Sequence, residues 1–133
     1  MHERKQEDAT AMTTATRFST TLRDHARKTI ERLRYADIVV GIPSYYSGES
    51  IVHVIRTVAE GLERYYPDAK AVILVADGGS TDDTREIANL LQIHSYSIEK
   101  IVTIYRGLPG KGSGLRAAFE VANFLKAKAV AVF

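Results

Sequence analysis

The chain has 133 residues, 45% of them hydrophobic and 26% charged, proportions of an ordinary soluble domain that point away from fibrous and membrane-embedded classes. Eighteen Lys and Arg against sixteen Asp and Glu leave a formal charge of +2, too little to imply a nucleic-acid partner without a localised basic patch, and no such patch is visible. Cysteine is absent, which excludes disulfides, thiolate metal sites and cysteine nucleophiles and fits a cytoplasmic location.

Residues 1–16 mix charged with small polar side chains, without periodicity, and are expected to form a mobile tail. They lack the apolar core of a signal peptide, and no run in the chain reaches the ~18 apolar residues of a spanning helix. Over residues 17–35, Phe18, Leu22, Ala26, Ile30 and Leu33 recur every three or four positions. That stripe predicts an amphipathic helix, packed on the domain or on a partner.

From residue 37 strands and helices alternate. "DIVVGI" (37–42), "KAVILVA" (70–76), "KIVTIY" (100–105) and "AVAVF" (129–133) read as strands. Between them, Ile51 to Leu62, Thr84 to Leu91 and Leu115 to Leu125 read as helices, with Ile87, Ala88, Leu90 and Leu91 as the buried side of the second. Strands apolar on both faces and separated by helices imply a Rossmann-like α/β fold: an open, mostly parallel sheet with helices on both faces and right-handed crossovers. Ligands of such sheets bind where the strands' carboxyl ends meet the following loops. The loops beginning at Pro43, Asp77 and Gly107 all fall there. The last strand breaks off at Phe133 without a covering helix, so the domain over residues 37–133 is expected to be truncated.

Three loops carry the chemistry. In "LVADGGSTDD" (74–83) Asp77 stands where a strand gives out, its carboxylate able to accept hydrogen bonds from a ligand imide or hydroxyl, and Gly78 and Gly79 admit a flat group closely. Ser80 to Asp83 read as a helix start, with Ser80 or Thr81 as N-cap and Asp82 and Asp83 favoured by the macrodipole. "GLPGKGSG" places Lys111 between Gly110 and Gly112 just before a helix, where backbone N–H groups and a point charge attract phosphate oxygens. Its spacing is neither that of a Walker A loop nor that of the dinucleotide fingerprint, which sits in the first βα turn.

In "GIPSYYSGES" a ring of Tyr45 or Tyr46 could stack on a base, against the alternative that one tyrosine is core and Glu49 only favours a helix N-terminus. Arg106 and Arg116 flank the lysine loop and pair with phosphate or, more commonly, with a surface carboxylate. His2, His25, His53 and His94 are scattered without zinc-site spacing, and no serine occupies a hydrolase nucleophile elbow.

In this order, "VGIPSYYSGESI", "VADGGSTDDT" and "GLPGKGSGLR" resemble the nucleotide-sugar half of family-two-like glycosyltransferases with the glycosyltransferase A fold. "GLPGKGS" is most similar to the branch that includes glucosyl-3-phosphoglycerate synthases. The resemblance spans about residues 37–133. It implies that Pro43, Ser44 and Tyr45 line a nucleobase pocket, that Glu49 approaches base or ribose, and that Asp77 recognises the uracil imide of a UDP-sugar or the matching edge of another base. Gly110, Lys111 and Gly112 would hold the diphosphate. It further implies Mg²⁺ or Mn²⁺ in the complete protein, on aspartates expected beyond Phe133, so that this piece alone is expected to bind donor weakly without turnover. Tyr46 stands where the family usually has Asn, and a differently packed loop is expected.

A stand-alone nucleotide-binding module and a nucleotidyltransferase remain the rival readings, although the latter usually carries its glycine-rich loop where this chain has "PSYYSGE". A lipid-like or membrane-surface acceptor and a homodimer through the 18–33 helix stay open.

Overall fold

The computed structural model describes residues 24–46, 48–79, 83–104 and 111–133. The expected tail (1–16) and the first turns of the N-terminal helix, with Phe18 and Leu22, lie outside them. In chain order the elements are α1 (Asp24–Leu33), β1 (Ile38–Ser44), α2 (Ile51–Tyr65), β2 (Ala71–Asp77), α3 (Thr84–Leu90), β3 (Ile98–Ile104), α4 (Lys111–Phe124) and β4 (Ala129–Val132). The four strands form one parallel sheet in the order β3-β2-β1-β4, the α/β architecture that the alternating sequence predicts. Among the described residues no helix is long and apolar enough to cross a membrane.

Strand alternation sorts the core into two layers. Val39, Val72, Leu74, Ala76 and Ile101 face α1 and α4, meeting Ala26, Ile30, Ala117, Ala118, Val121 and Leu125. Val40, Ile42, Ile73 and Val75 face the other way, against Ile51, Ile55, Val58 and Leu62 of α2 and Ala88 of α3. Helix α1 therefore spends its described apolar stripe on the domain's own sheet. On α3 the structure corrects the expected buried side: Leu90 is 80% exposed. It lies two residues past Ala88, about 200° around the helix axis, and points away from the sheet.

The outer strands also depart from the two-faced apolar pattern. β4 is mostly exposed. β3 begins at Ile98, two residues earlier than expected, and its charged residues tie the flanking helices to the sheet: Glu99 meets Arg32 of α1 at 3.0 Å. Lys100 Nζ donates to the carbonyls of Ala88, Asn89 and Leu91, satisfying the open carbonyl end of α3. Burial pushes the Lys100 ammonium below the ordinary lysine pKa.

Lys100→Met is expected to lower stability by about 1 kcal/mol, read as a fall in Tm. Because the folded form releases this proton before the unfolded chain does, the desolvation cost fades and stability rises as pH climbs through that alkaline window. The Met variant is expected to lack the rise.

Candidate functional site

β1, β2 and β3 end level with one another. Ser44 is in register with Asp77, and Asp77 with Ile104, so the segments that follow all leave from one rim of the sheet. Ser44 and Asp77 have the parity of Ile42 and Val75, which puts both side chains on the α2/α3 face.

Asp77 is 0% exposed and is the last residue of β2 rather than a loop residue. Its Oδ1 accepts from Ser44 Oγ at 3.1 Å, its Oδ2 accepts from the Gly79 N–H at 2.9 Å, and Arg85 Nε lies 3.6 Å from Oδ2. The Gly78 N–H donates to the Ser44 carbonyl at 2.8 Å, locking the two strand ends together. Gly79 takes φ +90°, a conformation open to glycine at no steric cost; it lets its N–H turn back onto the carboxylate two residues earlier. The carboxylate is thus a held acceptor at the rim, not a side chain projecting freely into the crevice.

Ser80, Thr81 and Asp82 lie outside the described residues. Of the expected helix start, Asp83 occupies the N-cap position without a side-chain cap bond. It does not lie in the first turn.

The lysine segment differs from expectation in a way that matters. α4 starts at Lys111, four residues before Leu115, so Lys111 and Gly112 belong to its first turn; Gly110 and Arg106 fall outside the described residues. Glycine is a poor helix former, and close approach explains its presence at 114. A Cβ on Gly114 would stand 2.9 Å from Pro43 Cβ, so the first turn of α4 rests directly on the end of β1. A Cβ on Gly41 would stand 2.6 Å from Ala118 Cβ. These two contacts bring the start of α4 to the same rim as Asp77 but on the opposite face of the sheet. Pro43 has the parity of Gly41, on the β4 side of β1 beyond the described pairing, so its missing N–H breaks no bond of that ladder.

Tyr45 and Tyr46 are 54% and 49% exposed and pack edge to face, with centroids 4.5 Å apart. Neither is core, contrary to the plainer expectation, because both follow the strand's last residue. Tyr46 has φ +51°, left-handed backbone that Asn tolerates well. Glu49 is exposed, just before α2. Arg116 is 67% exposed and pairs with Glu120 on its own helix at 3.5 Å, the surface pair expected as the commoner case.

Sequence reading missed Arg85. The signal was a lone arginine on the second residue of the helix that follows the Asp77 loop. With His25, Asn89 and Thr103 it lines a cavity of about 240 Å³ at the end of β3.

A parallel sheet whose strand order reverses between β1 and β4, with its polar groups at the carboxyl rim, defines an α/β domain of the glycosyltransferase A type. The model of glycosyl transferase family 2 matches residues 39–123, and the chain belongs to that family. Among curated relatives, Glycosyltransferase AglD of Haloferax volcanii is 29% identical over 93 residues, which cover 65% of this chain. The matched stretch spans 14% of that relative's length. No solved structure matches the chain significantly.

Among the described residues no group of three or more His, Asp or Glu side chains could hold a metal ion.

Proposed function

We propose that the chain is the donor-binding part of a glycosyltransferase that moves a sugar from a nucleoside diphosphate sugar, with UDP favoured, to an acceptor hydroxyl. The observation that carries this reading is the rim itself: Asp77, held by Ser44, on one face, and the start of α4, seated on Pro43, on the other. A nucleotide laid across the strand ends would put its base edge at Asp77 and its pyrophosphate at the first turn of α4. There, backbone N–H groups and the charge of Lys111 favour an anion. Ser44 and Tyr45 would form the base side, Pro43 the seat of the first turn of α4 between base and pyrophosphate, and Glu49 the ribose side.

In the reaction the bond between the anomeric carbon and the diphosphate oxygen breaks and a bond to the acceptor oxygen forms. The leaving diphosphate gathers negative charge, which Lys111 and the helix terminus offset. A divalent ion bound beside the diphosphate would offset the same charge. Similarity of "GLPGKGS" supports a place near the glucosyl-3-phosphoglycerate synthase-type branch, and the lack of cysteine supports a cytoplasmic setting.

Calorimetric titration with UDP, UDP-glucose, GDP-mannose and CTP tests the reading. Tight CTP binding without sugar-nucleotide binding would replace it with a nucleotidyltransferase. Lys111→Ala is expected to weaken UDP and free pyrophosphate equally, by about tenfold each, because it removes a charge and no base contact.

A further inference from the structure

We propose that Tyr46 is a positioning residue of the nucleotide site, whose ring holds the ring of Tyr45 in the attitude that stacks on the base. The inference rests on the reading of Tyr45 as part of the base side and concerns how that ring is held.

Neighbouring residues of an extended strand send their side chains to opposite faces of the sheet, so two tyrosines in succession do not ordinarily meet. These two do. Their ring centroids lie 4.5 Å apart and their planes stand at 84°, the edge-to-face geometry that aromatic pairs favour. The backbone permits it: β1 ends at Ser44, and Tyr46 takes φ +51°, a left-handed turn uncommon for so bulky a residue and found where the surroundings compensate for it.

The pair springs from an anchored point. Ser44 is buried, its hydroxyl donates to Asp77 Oδ1 at 3.1 Å and its carbonyl accepts from the Gly78 N–H at 2.8 Å. With the preceding backbone fixed, the freedom left to the Tyr45 ring is chiefly rotation about its own side-chain bonds. Stilling such a ring on binding costs affinity, and a ring already held loses less. An edge-to-face partner occupies one face of a ring at most, and Tyr45 keeps 54% of its surface exposed, so a flat ligand reaches it without opening the core.

The test is calorimetry of the full chain with UDP and pyrophosphate, with thermal unfolding measured on every variant. Tyr45→Ala is expected to weaken UDP about tenfold, the loss of one stacked ring, with pyrophosphate unchanged. Tyr46→Asn removes the second ring yet tolerates the left-handed backbone. It should weaken UDP about fivefold, leave pyrophosphate affinity as it was and, at a half-exposed position, barely move Tm. Tyr46→Phe, which keeps the ring, should bind UDP within about twofold of wild type. In a Tyr45→Ala background, Tyr46→Asn should cost nothing further, because no ring remains to be held.

Equal weakening of UDP and pyrophosphate in Tyr46→Asn, a Phe variant as weak as the Asn variant, or losses that add in the double variant would overturn the proposal. A wild type without measurable UDP affinity, or a Tyr45→Ala variant that binds UDP as the wild type does, removes the reading of Tyr45 and this inference with it. A Tyr45→Ala variant that loses affinity beside a Tyr46→Asn variant that does not removes the inference alone.

Discussion

Asp77→Ala is expected to erase base discrimination, so that UDP, CDP and GDP bind within about threefold of one another while pyrophosphate binds as before. The asymmetry follows from the division of labour proposed for the rim, in which one carboxylate would read an edge and the α4 terminus would hold charge. The same substitution is expected to cost about 3 kcal/mol of stability, because it strips the Ser44 hydroxyl, the Gly79 N–H and the Arg85 guanidinium of a shared acceptor. Asp77→Asn keeps the shape and should unfold at a higher temperature than Asp77→Ala, yet it should also lose the preference for UDP. Retention of wild-type preference in both variants, measured by calorimetry, would show that the base is read elsewhere.

Gly41→Val is expected to destabilise the domain by about 3 kcal/mol, the upper end of what overpacking costs. Even the first added carbon would stand 2.6 Å from Ala118 Cβ, and β1, paired on both sides at this point, has no room to retreat. α4 must lift instead, carrying its first turn away from Pro43. Chemical denaturation should show the loss, and UDP affinity should fall with it. A compensating test uses Gly41→Ala with Ala118→Gly: the pair should regain most of the stability lost by Gly41→Ala alone, less about 1 kcal/mol for a glycine inside a helix.

The layering of this domain was legible because central strands buried on two sides must be written in apolar residues, and β1 and β2 are. β3 and β4 were less so. An edge strand has one neighbour and can spend residues such as Glu99 and Lys100 on tying helices down, which blurs its boundaries. The start of α4 was hidden for a different reason: "GKGSG" argues against helix by propensity, and the reason for a glycine at 114 lies at Pro43, seventy-one residues earlier in the chain.

Asp77 was singled out correctly as the end of a strand, but its burial was not foreseen, since that depends on Ser44, Gly79 and Arg85 converging from three segments. Tyr45 and Tyr46 show the converse. Aromatic residues suggest core, yet two in succession beyond a strand's last paired residue have no layer to enter, and both stay half exposed.

The level ending of β1, β2 and β3 constrains how this site can be re-engineered. Lengthening or shortening β2 by a single residue would turn the terminal carboxylate over to the α4 side, severing it from Ser44 and Arg85 however well the rest folded. Substitution of connecting segments beyond Ser44 or Ile104, or beyond Gly79 after β2, whose N–H holds the carboxylate, carries no such change of face. The domain is thus a fixed chassis with interchangeable fittings, on which loops can be exchanged so long as the count of residues in each strand is preserved.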